Sequence, residues 1–546
     1  MNNSNNQNSN AFLPEGTRRD KGKDAQRLNI LVAKAVSNSV KSTLGPRGMD
    51  KMLVNEMGDV TISNDGATIL KEMAIEHPIG KMLVELAKNQ DDEVGDGTTS
   101  AVIIAGGLVS KAENLLDENI HPSIIIKGYK MAAEKANNYF TEISENISIS
   151  DKKALLDIAT TSMTGKAAEY SSSLATIVVD AILKIANSKE LDKEQIKIEQ
   201  KIGGNLSDTK LIDGIVLDKE VVHSEMPKDI SSAKILLLGT ALEIKETETE
   251  AKIQITSPEQ LQAFIDQEEE QLKEMVNQIV STGANVLICQ KGIDDLAQHY
   301  LAKAGVTAVR RVRLTDVERL AKATGAKIIN RLKDATDKDL GTAQKVYSKK
   351  ISGDDMLFVE GCPNPNYVTI LLRGASEQTL SEADRTLTDA VGAVISSLKS
   401  GKFLAAGGSS EIDVALKLKN FAKTIGGREQ LAIEAFAEVL EIIPKTLAES
   451  AGLDAIDTIV SLRSKHQDPN NRGYGVDVVN GTIADMKSKN IIEPLNVKTQ
   501  AIISSTEVAE LILRIDDIIA GQSGRGAPRM GPQDMADMWF FLFFLK

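Results

Sequence analysis

"NQDDEVGDGTTSAVIIAGG", residues 89–107, sets an acidic run against a Gly-Asp-Gly-Thr-Thr turn and then an apolar helix. The free N–H groups and partial positive charge at a helix start favour an anion. Gly95 and Gly97 let the backbone come close to that anion. A carboxylate at Asp96 repels a bare phosphate. Mg2+ would resolve the conflict, because it takes hard oxygen ligands and bridges carboxylates to nucleotide phosphates. The plainer reading is an Asp-Gly turn whose Thr98 or Thr99 caps the following helix. These residues alone leave both readings open.

Upstream, Leu28, Val32, Val36 and Val40 predict a helix over 25–44, with Gly45 as its C-cap and Pro46 as its stop. "KMLV" and "VTIS" then read as a hairpin, and "NDGATIL" as the start of another helix. Val102, Ala105, Val109, Ala112 and Leu116 form one apolar face after Asp96. The first 150 residues therefore read as mostly helical, with a single hairpin. Beyond residue 190, "IKIEQKIGG", "LIDGIVLD", "AKILLLG", "NVLICQ" and "VTAVRRV" are short β-rich runs of an α/β domain. One long helix interrupts them, with Ser257, Pro258 and Gln260 as N-cap, N1 and capping-box partner and Gly283 at its end. From 376 the chain is helical again, with Leu380, Ala383, Leu387, Val391, Val394 and Leu398 in register. The helical–α/β–helical order predicts one helical domain built from both chain ends, with the middle inserted.

Composition narrows the function classes. A chain of 546 residues needs several cores. Its formal charge of −13 argues against a general nucleic-acid binder. Two cysteines and five histidines predict neither a disulfide framework nor a zinc motif, and they fit a cytoplasmic protein. "MNNSNNQNSN" reads as disordered and not as a signal peptide, and no stretch is long enough to suggest a membrane span. The run "MWFFLFFLK" is too short to cross a bilayer and too apolar to sit easily in water.

Neither a P-loop nor a dinucleotide fingerprint is present, and the kinase signature is missing as well. What remains are four glycine turns at helix boundaries: "STLGPRGMDK", "SNDGAT", "GDGTTS" and "AAGGSSEI". Singly each is a plain turn. In this order they resemble the nucleotide-binding half of the group II chaperonins, the TCP-1/thermosome family. The resemblance runs from Pro14 to Ala520, and "VLICQKGIDDLAQHYLAKAGVTAVRRV" and "GGREQLAIEAFAEVLEIIPKTLAESAGLDAID" look nearest to archaeal members.

The resemblance implies a multidomain α and α/β fold. Residues 1–150 and 404–546 would form an equatorial ATP-binding domain, and 151–218 with 370–403 an intermediate domain. Residues 219–369 would form an α/β apical substrate-binding domain with a helical lid protrusion at about 244–276. It also implies roles. Thr43, Leu44, Gly45 and Pro46 would touch ATP, and Gly97, Thr98, Thr99 and Ser100 would cradle its phosphates. Asp96 would hold Mg2+. Gly407 and Gly408 would pass near the ribose and base, Glu493 would accept from the ribose hydroxyls, and Gly475 and Asp477 would border the adenine. Asp65 and Asp389 would position and deprotonate the attacking water, and Lys166 would sense the γ-phosphate. By periodicity alone Asp389 lies off its apolar stripe and belongs to a solvated face. Leu261, Phe264 and Ile265 would face the cavity or neighbouring protrusions, although helix core is the plain reading.

The partners implied are identical or paralogous subunits in stacked rings of roughly eight or nine, and unfolded protein clients. Neither nucleic acid nor membrane is expected as a partner. The function implied is an ATP-driven chamber that encapsulates non-native proteins by closing a built-in lid. A structural ring subunit with residual ATPase competes with it, as does a stand-alone phosphotransferase. Intact Asp65, Asp96 and Asp389 favour the machine.

Overall fold

The computed structural model describes residues 18–55, 57–165, 170–186, 191–244 and 258–520. Lys166, Ser257, the extended "AKIQI" segment, the first part of the expected protrusion and both terminal runs lie outside the described residues, as does the side chain of Leu261.

Along the chain, α1 (Lys23–Lys41), α2 (Gly66–Glu72), α3 (Pro78–Val94), α4 (Thr98–Asp117) and α5 (Pro122–Ile143) come first, with the hairpin Lys51–Val54/Val60–Ser63 between α1 and α2. Helices α6 (Lys152–Met163) and α7 (Ser171–Ile185) follow. The α/β part contributes α8 (Pro258–Ser281), α9 (Asp295–Lys303) and α10 (Leu314–Thr324). After α11 (Glu377–Ser400) the chain ends in α12 (Ser409–Ile425), α13 (Gly427–Leu440), α14 (Ile442–Ser450), α15 (Ala455–Lys465) and α16 (Leu495–Arg514).

Apolar stripes at helical spacing pack these helices into separate cores. One core joins Ile30, Leu83, Val102, Val109 and Phe140 from the first helices to Phe436, Leu440 and Ile502 from the last. Tyr129 and Phe436 meet edge-on across the two chain ends, with ring centroids 5.9 Å apart. The strands Arg18–Lys21 and Asp517–Ala520 pair antiparallel, so both ends share one body. A second core gathers Leu155, Val178 and Ile182 with Ile370, Leu387 and Val394. It lies beside a sheet in which Val368–Gly374 runs parallel to Ile196–Ile202 and antiparallel to Lys210–Ile212.

The inserted α/β part has a seven-stranded sheet whose central members are Asp229–Leu238 and Gly341–Ile351, with Val286–Cys289 and Thr307–Val309 parallel on one side. Its strand centres, such as Leu236, Leu237 and Ile288, are buried on both faces. Sequence runs without alternation are what a two-sided core requires.

The expected C-cap of α1 is corrected by the structure. Helix α1 ends at Lys41 with Ser42 as its cap, so Gly45 does not cap it. Gly45 instead makes a left-handed turn (φ 81°), and its Cα lies so close to Leu447 that a Cβ would stand 2.4 Å from a leucine methyl. Among the described residues, the first 150 are mostly helical with one hairpin, as expected, and the short strands Arg18–Lys21 and Glu145–Asn146 pair with segments of the C-terminal half. Among the described residues no helix is long and apolar enough to cross a membrane.

Candidate functional site

The Gly95–Gly97 turn joins α3 to α4. Gly95 ends α3 in the left-handed region (φ 72°) and Gly97 starts α4 in the same region (φ 79°), conformations that suit glycine. Asp96 sits between them, with Oδ1 accepting from the Gly97 N–H at 2.6 Å. Buried Gln90 clamps the turn, its Nε2 donating to the carbonyls of Asp96 (3.0 Å) and Val497 (3.2 Å).

A second helix start abuts the first. Asp65 is the N-cap of α2, accepting from the Thr68 N–H at 2.8 Å. Its other oxygen accepts from the Thr98 hydroxyl at 3.1 Å. A Cβ at Gly66 would stand 2.6 Å from Oγ1 of Thr99, so glycine there permits the contact of the two helix ends. The two helix starts thus abut at one place, where the N-terminus of α4 favours an anion.

Asp389 reaches the same cavity from α11 and is only 8% exposed, which overturns the solvated-face reading from periodicity. The reason is a glycine pair. A Cβ at Gly392 would lie 2.7 Å from Cα of Gly95, so α11 runs against the turn at backbone distance, with Asp389 one turn earlier. Gly392 carried no signal in the sequence, since a lone glycine inside a helix usually only weakens it.

The cavity measures about 240 Å³. Thr43, Leu44, Gly45 and Pro46 line one side, and Asp65, Asp96, Gly97, Thr98, Thr99 and Ser100 another. Gly407, Gly408, Asp477 and Glu493 line it from the C-terminal half. Gly475 does not line it but packs behind, where a Cβ would meet the Gly407 carbonyl at 2.7 Å. Lys166 lies outside the described residues, but Thr161, Ser162 and Thr164 from the end of α6 line the cavity and were not anticipated. A larger hollow of about 780 Å³ lies beside α1, the α4–α5 turn and the end of α16. It holds none of the four glycine turns, and volume alone does not make a site.

Electrostatics separates the two acids at the C-terminal side. Burial works to raise Asp477, but hydrogen bonds from Asn480 and Lys489 hold it down at about 2. Its carboxylate is already engaged, so the surface it offers to a ligand is mainly its backbone. Glu493 is the opposite case. Burial pushes it up to about 7, despite Lys498 at 3.0 Å, and nearby Glu411 and Asp96 add to the rise. Its Oε1 accepts no hydrogen bond among the described residues, and neither does the Oγ of Ser162. Buried polar atoms facing a cavity without partners are where a ligand's hydroxyls find theirs.

The donor set fits Mg2+: carboxylate, hydroxyl and backbone oxygens, with neither thiol nor imidazole at the cavity. Asp96 is the carboxylate placed beside the helix ends that would take phosphate.

Comparison with known proteins identifies the family. The model of the TCP-1/cpn60 chaperonin family matches residues 36–523. The chain is 55% identical to the thermosome subunit alpha of Archaeoglobus fulgidus over 516 residues, 94% of each chain. It is 55% identical to the thermosome subunit beta of Methanothermobacter thermautotrophicus, over 96% of this chain and 97% of that one. A thermosome subunit of Pyrococcus abyssi is 56% identical over 94% of both. Matches of this length leave no large segment unaccounted for, and the chain belongs to the TCP-1/cpn60 chaperonin family as a chaperone subunit of the group II, thermosome kind.

Proposed function

We propose that this chaperone subunit binds and hydrolyses Mg-ATP in the cavity between α2, α4 and α11, and that hydrolysis drives closure of a lid over non-native clients. The observation that carries the reading is the convergence of Asp65, Asp96 and Asp389 on two abutting helix starts. Phosphoryl transfer needs positioning, neutralised charge and an oriented water. The backbone N–H groups at Thr98–Ser100 would hold the phosphates, and Asp96 would hold Mg2+, which would supply neutralisation of phosphate charge. Asp65, with one oxygen fixed by Thr98 and the other by Thr68, orients the water. Asp389 takes its proton. Glu493 receives a ribose hydroxyl on its unpartnered Oε1.

The separate cores suggest the division of labour. The body built from both ends serves as the equatorial ATPase domain, the α6–α7–α11 layer as the intermediate domain, and the inserted α/β part as the apical client-binding domain. Since Asp389 belongs to the middle layer, motion of that layer would gate hydrolysis. The subunits would assemble in stacked rings with identical or paralogous copies.

The test is a pair of variants. Asp389→Ala is expected to bind ATP normally and to hydrolyse it about 10²–10⁴-fold more slowly, as loss of a general base does. Asp96→Ala is expected to lose magnesium-dependent nucleotide binding. Unchanged turnover in either variant removes that residue from its role.

A further inference from the structure

Two of the five histidines in this chain meet although they lie far apart in sequence. His223, on the turn after strand Gly214–Leu217, faces His299 on α9 with ring centroids 5.9 Å apart. Glu225 completes the group, and one ligand atom from each of the three lies within 4.8 Å of the others. Among the described residues this is the one cluster of metal-ligating side chains with such spacing.

Both supporting segments are fixed. The Val222 N–H donates to the Ala308 carbonyl at 3.0 Å, and Met226, just beyond the cluster, is buried with its N–H on the His223 carbonyl at 3.2 Å. On the other side Asp294 caps α9 by accepting from the Leu296 N–H at 2.9 Å. Ligands on anchored segments suffer little ordering cost when an ion arrives.

We propose that His223, Glu225 and His299 form a binding site for a borderline divalent transition ion of the Zn2+ type. Two imidazoles and one carboxylate are a ligand set that Zn2+ accepts in tetrahedral geometry, leaving the fourth position to water or an incoming group. Bonds of ~2.0–2.2 Å require the ligand atoms to draw somewhat closer than they stand. The half-buried histidines and exposed Glu225 have room for that adjustment. His223 Nδ1 now accepts from the Glu225 N–H at a long 3.3 Å. Either mode of coordination gives up that weak bond: an ion on Nδ1 takes the same lone pair, and an ion on Nε2 moves the ring proton to Nδ1.

The ion would fasten the 219–228 turn to α9. Next to His299, the Tyr300 hydroxyl donates to Glu269 of α8, and Lys273 of α8 pairs with Glu269 at 2.7 Å. The site therefore stands at the foot of the helix proposed to carry the lid.

The test uses the whole chain, stripped with chelator and kept in magnesium without nucleotide. Cobalt(II) is titrated and followed by its visible d–d absorption, then displaced by zinc. Expected are one cobalt per chain with a tetrahedral-type spectrum, and loss of that binding in the His223→Ala/His299→Ala double variant. The exposed-site variant Glu225→Gln, which has little reason to misfold, is expected to weaken binding at least about tenfold. Wild-type stoichiometry and affinity in the double variant, a thiolate-to-cobalt band pointing to Cys289 or Cys362, or no saturable binding by the wild-type chain would each overturn the proposal.

Discussion

Glu493 ends a buried row of alternating charge. Glu411, itself fixed by the Ser410 hydroxyl at 2.9 Å, pairs with Lys498 at 2.5 Å, and Lys498 pairs with Glu493 at 3.0 Å. Burial works to lower Lys498, but the two glutamates raise it above the ordinary lysine range, so one cation serves two acids. Glu493 is left short of positive charge and rises from 4.5 to about 7. A carboxyl raised by folding favours the folded chain below pH 4.5, and that contribution disappears as pH climbs through about 7. Nucleotide binding should run the other way. Once ionised, Glu493 accepts a ribose hydroxyl more strongly, by about 1 kcal/mol or roughly fivefold in affinity. Titrating a non-hydrolysable ATP analogue from pH 6 to 8 is expected to show that tightening, with Glu493→Gln giving a flat profile. A wild-type profile as flat as the variant's would remove Glu493 from the ribose contact. Asp477, held at about 2, contributes nothing in this window.

Among the elements, α8 divides sharply. Its second half packs into the core through Leu272, Val276 and Ile279, whereas Phe264 and Ile265 remain 36% and 45% exposed. Helix core is therefore not what those two side chains serve within one chain. Each large apolar group buried against a neighbour would contribute ~1.5–3 kcal/mol, repeated at every subunit of a ring. The double variant Phe264→Ser/Ile265→Ser is expected to keep its thermal stability and ATPase rate. It should lose protease protection of a trapped client under a transition-state mimic. Retained protection would place closure elsewhere.

The same helices show where sequence reading succeeds. Leu380, Ala383, Leu387, Val391 and Val394 line the buried stripe of α11 as their spacing predicted. Asp389 was misread by that rule, because the opposite face of α11 meets a cavity and a glycine turn instead of water. Glu145–Asn146, a strand of two residues, is too short to carry a period. Ser162 and Lys498 gave no local signal, since only the fold brings them to the cavity.

At the scale of the molecule, the body holding the proposed nucleotide cavity and the α/β part are joined through the middle layer. Buried polar groups from strands Ile196–Ile202, Gly214–Leu217 and Val368–Gly374 and from α10 meet at the junction. Lys197, 6% exposed, donates to the Val216 carbonyl at 2.7 Å and pairs with Glu199 at 2.7 Å and with Asp316 of α10 at 2.8 Å. Beside it the Thr369 hydroxyl donates to the Gly214 carbonyl at 2.8 Å and accepts from the Val216 N–H at 3.2 Å. The proposed closing movement, starting at α11, would have to cross this junction to reach α8. Removing one partner of a buried ion pair costs ~3–5 kcal/mol, because the acids left behind keep their desolvation without their cation. Arg319, 3.6 Å from Asp316, offsets part of that loss but cannot replace the bond to Val216. Lys197→Met is therefore expected to loosen the α/β part first. Hydrogen exchange should rise in strands Gly214–Leu217 and Asp354–Glu360, whereas nucleotide affinity in the distant cavity stays within about twofold, as independent sites behave. ATP hydrolysis should persist while client encapsulation falls. If exchange rises equally in α1 and α16, or nucleotide binding is lost with it, Lys197 supports the whole chain and not the junction.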